Sequence, residues 1–182
     1  SGFHAMLELT QTSHFGLYFL LVAGIVILPG MDMAFVMASA LADGSRAGLA
    51  AVSGLVVGGM IHVAMSALGI GLLLIAAPRL FNAVLVTGAI YIGWIGVSLW
   101  RGAAALGEVG AATMRQPLTA VFGRAVATCL LNPKAYVFML AVFPQFLRPE
   151  YGSVVAQSLV LALITASTQA VVYGAVALAA AR

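Results

Sequence analysis

Two short stretches, VILPGMDM at residues 26–33 and LLNPKAYVF at residues 130–138, each place a proline inside a long apolar run. Proline removes a backbone donor and clashes with the preceding turn, so a helix kinks or stops there. Asn132 followed by Pro133 is typical of a helix start, with Asn as the N-cap and Pro at the first helical position. The two stretches therefore predict two interrupted helices.

The composition around these stretches is that of a membrane protein. Of the 182 residues, 63% are hydrophobic and 7% are charged, and the mean hydropathy is +1.13. A soluble domain carries about 25% charged residues, so this chain cannot cover a water-facing surface. The net charge of +3 comes from scattered basic residues, which indicate membrane topology and not nucleic-acid binding.

Apolar blocks long enough to cross a bilayer divide the chain. A span needs about 20 apolar residues, and each block reaches that length. We therefore expect an all-α polytopic membrane protein with five transmembrane helices, a single transmembrane domain over 15–182 and an N-terminal segment over 1–14, of which 1–5 are a candidate cloning remnant. The blocks are 15–42, 48–77, 80–100, 118–147 and 153–181, with a cytoplasmic loop at 102–117.

The two breaks correspond in position. Pro29 and Pro133 lie 104 residues apart, and the same offset relates Gly48 to Gly152, where the second and fifth blocks begin. This correspondence predicts a three-span unit used twice, and an odd number of spans makes the second copy inverted. Paired broken helices in inverted halves are the best sequence pointer to a transporter's binding site.

The second unit is incomplete in this inverted 3+3 repeat. Repeat one covers residues 15–101 with three spans, and repeat two covers 118–182 with two, so the sixth helix is absent from this chain. We expect the missing helix to leave an apolar groove, exposed or filled by another chain. A homo-oligomer or a partner helix would supply that chain.

Basic residues predict the orientation. An outside N-terminus places five arginines in the cytoplasm and two outside, which follows the positive-inside rule. We expect a multi-pass protein of the bacterial inner membrane in contact with lipid. The five are Arg46, Arg101, Arg115, Arg124 and Arg182, and the two are Arg79 and Arg148.

Two charged residues follow the breaks. Asp32 lies three residues after Pro29, and Lys134, the only lysine, follows Pro133. A charge at this depth costs several kcal/mol unless it is paired or faces water. The alternatives are a helix-start cap for Asp32 and snorkelling to an interface for Lys134. We expect Asp32 to bind a cation or carry a proton, and Lys134 to hold an anion or neutralise Asp32.

Polar residues in other spans extend the candidate set. Histidine is the residue type suited to proton coupling near neutral pH, so His62 is a candidate, and a core histidine bonded to a neighbour is equally compatible. A polar cluster in the fifth span contacts substrate or only bonds neighbouring helices. Gln145 is a site residue or a cap. The predicted substrate-binding or proton-coupling residues are Pro29, Gly30, Asp32, His62, Asn132, Pro133, Lys134, Gln145, Thr168 and Gln169, and the cluster also includes Thr165 and Ser167.

Two further patterns bear on packing and on metals. The spacing Gly54-x-x-x-Gly58 predicts close helix packing, inside one protomer or between protomers. No metal or cofactor is expected, because the three histidines share no ligand spacing and Cys129 is a single thiol.

Four motifs in register closely resemble the LysE family of amino-acid exporters, in its homoserine/threonine-efflux (RhtB) branch. That family has Pro-Gly-Pro-Asn/Asp in the first span, Gly-x-Arg-x-Gly after it and Asn-Pro-Lys in the fourth span. Met31 stands where the family has its second proline. The resemblance implies export of small amino acids or related metabolites in exchange for protons. Its motifs here are VILPGMDM (26–33), DGSRAG (43–48), LLNPKAYVF (130–138) and FPQF (143–146).

The residues themselves add a plausible site and leave alternatives open. Two half-helix N-termini favour a substrate carboxylate, Lys134 adds charge to that contact, and Asp32 takes the ammonium group or a proton. The alternatives are a transporter of another small solute or ion, a non-transporting assembly subunit, and an intramembrane enzyme with a Ser–Lys pair. We do not expect an enzyme, because a second intramembrane acid and a zinc motif are missing.

Overall fold

The computed structural model of the chain describes residues 2–76, 79 and 116–182, with side chains described for 13–69, 79 and 116–182. The predicted third span, 80–100, and most of the loop at 102–117 lie outside the described residues. All regular secondary structure in the described part is helical. The α-helices are α1 (Gly2–Ile27), α2 (Met31–Asp43), α3 (Ser45–Ala76), α4 (Leu118–Leu130), α5 (Pro133–Ala141) and α6 (Val154–Ala180), and two 3₁₀ helices cover Phe143–Phe146 and Pro149–Tyr151.

Four stretches of the described chain are suited to crossing a membrane. Ser45–Gly69 within α3 and Val154–Ala180 are single helices of sufficient length and hydropathy. Two further spans arise if each bent pair of helices is counted as one, with α1 and α2 bent by 55° and α4 and α5 by 50°. The prediction of an all-helical membrane protein with two interrupted helices is confirmed. Helix α1 begins at Gly2, upstream of the apolar block predicted from residue 15, and its span-forming part runs over Ser13–Ile27.

The two breaks differ in their chemistry. At the first break, α1 ends at Ile27 and the extended residue Gly30 precedes α2, without a side-chain cap. At the second break, the Asn132 side chain accepts a hydrogen bond of 3.0 Å from the backbone N–H of Lys134, and Pro133 is the first helical residue. The sequence prediction of an Asn–Pro helix start is confirmed.

A tight turn joins α2 to α3. Gly44, with φ of +80°, adopts the left-handed backbone region that glycine tolerates best. A Cβ atom on Gly48, at the start of α3, would lie 2.9 Å from the Cβ atoms of Ala40 and Ala177. Small residues therefore let α2, α3 and α6 approach closely at this end of the molecule.

Helix α3 is the centre of the packing, and it contacts α2, α4, α5 and α6. Gly54 and Gly58 lie so close to α4 that neither position leaves room for a side chain. A Cβ atom on Gly54 would collide with the carbonyl oxygen of Phe122, and one on Gly58 would lie 2.6 Å from the Cβ of Cys129. The predicted close packing at Gly54-x-x-x-Gly58 is confirmed, and it lies inside one chain.

The distribution of polarity is that of a protein dissolved in lipid. Large aliphatic side chains point outward, as in Leu68 and Leu131, which are each 74% exposed. Three polar side chains of the helices, those of Asp32, Asn132 and Gln169, are buried. Buried polar groups need partners, so their shared location marks the region where function is to be sought.

The α3–α4 contact generates a stability prediction. Gly54→Ala should lower the free energy of unfolding by about 1–3 kcal/mol, because the new methyl group overpacks the backbone of α4. Gly174→Ala is the matched control, since a Cβ there meets nothing within 4 Å and alanine favours the helix. Thermal unfolding in detergent measures both variants. A Gly54→Ala protein as stable as the control would contradict the close crossing.

Candidate functional site

A small cavity lies between the two breaks. Its volume is about 40 Å³, which is room for about three water molecules. Helices α1, α2, α5 and α6 all contribute to its wall, so it lies between the two predicted halves. The lining residues are Val22, Ile25, Val26, Asp32, Lys134, Ala135, Phe138, Met139, Thr165, Gln169 and Tyr173.

Asp32 lies in the first turn of α2 and is 3% exposed. The N-cap residue of α2 is Gly30, which has no side chain to cap the helix. The side chains of Asn132 and Tyr173 lie near the carboxylate but leave its Oδ1 atom without a hydrogen bond, and Lys134 and His62 act on the carboxylate electrostatically. The helix start places the carboxylate near the positive end of the α2 dipole.

Lys134 joins the two breaks directly. Its ammonium group donates hydrogen bonds of 2.9 Å to the carbonyl oxygens of Ile25 and Leu28. These carbonyls belong to the end of α1, where the intrahelical ladder leaves acceptors without partners. The side chain therefore crosses to the other predicted half of the molecule, where it bonds backbone carbonyls. The prediction that the two breaks face one another is confirmed.

His62 makes the corresponding contact at the second break. Its Nε2 atom lies 3.0 Å from the carbonyl oxygen of Cys129, in the last turn of α4, and its ring packs edge-on against Tyr136 with centroids 4.6 Å apart. A carbonyl only accepts, so Nε2 carries the proton in this bond. Each break therefore has a carbonyl bonded by a side chain from the other half of the chain. His62 is not among the residues that line the cavity.

Three buried polar atoms near the cavity have no hydrogen-bond partner among the described residues. They are Oδ1 of Asp32, Nδ2 of Asn132 and Oε1 of Gln169. A buried donor or acceptor without a partner costs about 1–3 kcal/mol, so proteins rarely keep several in one place. Asp32 and Gln169 line the cavity, so they present two unpartnered acceptors to a polar ligand.

Some predicted site residues lie away from this cavity. Gln145 donates a 2.6 Å hydrogen bond to the carbonyl of Ala141, and Thr168 donates one of 2.7 Å to the carbonyl of Ile164. Neither residue lines the cavity. Ser167 is exposed and bonds its own helix. These side chains satisfy local helix groups, which is the commonest role of hydroxyls and amides in apolar helices.

Tyr173 is a lining residue that the sequence reasoning missed. It follows Thr165 and Gln169 at intervals of four residues, so all three lie on one face of α6. Thr165 accepts or donates a 2.9 Å hydrogen bond with the hydroxyl of Tyr18 in α1. The four-residue period was visible in the sequence. This spacing is the signal that places Tyr173 on the same helix face as the polar cluster.

Broken apolar helices around a buried, charged site define the chain as an α-helical membrane protein of the transporter class. The family model described as LysE type translocator matches residues 22–182. The chain belongs to this family, as the four sequence motifs implied.

Similar proteins occur in several bacteria. An uncharacterised membrane protein of Vibrio cholerae is 36% identical over 92% of this chain and 82% of its own length. The homoserine/homoserine lactone efflux protein of Salmonella typhimurium is 33% identical over 75% of this chain and 66% of its own length. The leucine efflux protein of Klebsiella pneumoniae is 29% identical over 68% of this chain and 58% of its own length. No solved structure matches the chain significantly.

The contact of Lys134 with α1 generates a second stability prediction. Lys134→Met should destabilise the protein by about 1–3 kcal/mol for each carbonyl left without a donor. Asp32→Asn should partly offset this loss in the double variant, because Lys134→Met alone leaves the Asp32 carboxylate buried without a positive neighbour. Thermal unfolding in detergent measures the two single variants and the double variant.

The control is Arg124→Met, at an exposed arginine that bonds Gln116, with an expected change within about 0.5 kcal/mol. Losses that simply add in the double variant would show that Asp32 and Lys134 are energetically independent.

Proposed function

We propose that the protein exports small amino acids or related metabolites across the bacterial inner membrane in exchange for protons. The substrate binds at mid-membrane, between the N-termini of α2 and α5. The observation that carries this proposal is the pair of unpartnered buried acceptors, on Asp32 and Gln169, in a cavity that Lys134 also lines. The names of two relatives, which concern homoserine and leucine efflux, support the substrate class.

The site's polarity matches a zwitterion. The substrate carboxylate would meet the positive ends of the two half-helices and the Nδ2 donor of Asn132. Lys134 contributes positive charge to this pole, while two of its three protons remain on the α1 carbonyls. The substrate ammonium would meet Asp32. A fixed positive group and a fixed carboxylate on one cavity thus separate the two poles of an amino acid.

Proton exchange follows from the same carboxylate. Asp32 would hold either a proton or the substrate ammonium, so that loading one releases the other. The groups that act on its carboxylate are Lys134, His62, Tyr173 and Asn132. A neutral Asp32 and an ionised Asp32 with a bound cation place similar charge in the site. Because the site carries similar charge in these two states, the protein changes conformation in both of them. It does not change conformation when Asp32 is ionised and no cation is bound.

In this proposal the two halves move apart around the cavity during export. The breaks at Pro29-Gly30 and Asn132-Pro133 are the natural hinges, because helical hydrogen bonds are interrupted there. In this proposal the two halves form an inverted repeat, with the N-terminus outside.

Transport by purified protein in vesicles tests the function. We expect the wild type to exchange labelled leucine or homoserine for protons, and Asp32→Asn to lose this exchange, because an amide cannot carry the coupled proton. Lys134→Gln should raise the half-saturating amino-acid concentration at least tenfold, since the carboxylate pole loses a charge. Uptake of label under an imposed pH gradient is the measurement.

Ser167→Ala, on the exposed face of α6, is the control for reconstitution and should behave as wild type. Near-normal exchange by Asp32→Asn at normal expression would remove Asp32 from the mechanism. A wild type without amino-acid transport would contradict the proposed function itself.

A further inference from the structure

Gln169 is a buried amide for which the described residues provide no hydrogen bond. It is 6% exposed, it lines the cavity, and its Oε1 atom has no partner among the described residues. Its polar neighbours on α6 are satisfied: Thr165 bonds Tyr18 and the Leu161 carbonyl, and Thr168 bonds Ile164. Among the described residues no group compensates the burial of this oxygen, so a group that enters the cavity is a candidate partner.

Gly59 of α3 fixes where this amide lies. A Cβ atom on Gly59 would collide with Oε1 of Gln169, and it would lie 3.1 Å from both Cδ and Nε2. The whole carboxamide thus rests against the α3 backbone, in space that exists because residue 59 has no side chain. A larger residue at this position would have to displace the amide.

The cavity presents two acceptors to a ligand. Oδ1 of Asp32 and Oε1 of Gln169 belong to different helices, and both residues line the same space of about 40 Å³. The Lys134 ammonium does not occupy them, because it donates to Ile25 and Leu28. A carboxylate and an amide oxygen together suit a compact cation that donates several hydrogen bonds.

The number of oxygen ligands in the cavity indicates which kind of cation fits it. Calcium and magnesium take six or more oxygen ligands, which these two side chains do not approach. A quaternary ammonium group has no N–H to donate, and an acylated amine carries no charge. A protonated primary amine has three donors, a positive charge and a small volume.

We propose that Gln169 is a second ligand for the substrate's ammonium group, beside Asp32, and that Gly59 positions it. This inference rests on the proposed amino-acid export and adds the recognition of one pole. Gln169 then selects protonated primary amines, while the carboxylate pole of the substrate is bound by other residues. Analogues that keep only the ammonium group or only the carboxylate measure the binding of each group separately.

Competition in reconstituted vesicles tests this assignment. The assay measures exchange of labelled leucine and its inhibition by leucinol, which lacks the carboxylate, and by 2-hydroxy-4-methylpentanoate, which lacks the ammonium. Gln169→Leu should weaken inhibition by leucinol roughly tenfold or more, since a hydrogen bond to a charged group contributes at least that factor. Inhibition by the hydroxy acid should change less than threefold.

Gln169→Glu is the second variant, because it keeps an acceptor at the same reach, and it should retain inhibition by leucinol. Ser167→Ala controls for changes elsewhere on α6. Equal losses for both analogues in Gln169→Leu, or a loss confined to the hydroxy acid, would overturn the assignment while leaving amino-acid export intact. Wild-type vesicles that exchange neither leucine nor homoserine would instead overturn the proposed function, and this inference with it.

A double-variant cycle tests the role of Gly59. Gly59→Ala should weaken inhibition by leucinol in the wild-type background, because its methyl group displaces the amide. The same substitution should have little further effect in Gln169→Ala, where no amide remains to be displaced. Independent, multiplying effects of the two substitutions would show that Gly59 does not act through Gln169.

Discussion

The ammonium group of Lys134 satisfies the carbonyls at the end of α1, and the rest of the site depends on this contact. A helix that stops inside a membrane exposes acceptors that lipid cannot satisfy, so the protein must supply a donor. The donor here comes from the N-terminal turn of α5, on the far side of the second break. One side chain thereby joins the two interruptions and brings the two half-helix N-termini to the same cavity.

The ammonium group of Lys134 is partly buried, so its charge needs a balancing charge nearby. Asp32 lines the same cavity and provides the opposite charge. The Lys134 ammonium and the Asp32 carboxylate do not come within 4 Å of each other, so they form no salt bridge. Among the described residues, Arg148 and Glu150 form a salt bridge at 3.2 Å. The carboxylate thus remains available to a proton or to a ligand's cation, which is the property that the proposed export mechanism uses.

The sequence predicted the interruptions well because proline and asparagine–proline act locally. The composition predicted a membrane protein, and the preference of asparagine for helix N-caps predicted the role of Asn132. Residues whose roles depend on three-dimensional proximity were harder to predict. The bond from Lys134 to Ile25 joins residues 109 positions apart, and the clearance between Gly59 and Gln169 depends on the crossing of α3 and α6. Gln145 and Thr168 were overvalued because a polar residue in an apolar helix can also bond its own helix.

The central claim is that substrate binds in the cavity between the two breaks, and protection of a thiol in its wall tests this most directly. Ala135 lines the cavity, so Ala135→Cys in a Cys129→Ala background places a single thiol there. The account predicts that leucine or homoserine slows modification of this thiol by a small methanethiosulfonate reagent, with half-maximal protection near the half-saturating concentration for transport. A thiol at the exposed Leu131 should be unaffected. Absence of protection at residue 135 in vesicles that still transport the amino acid would contradict the account.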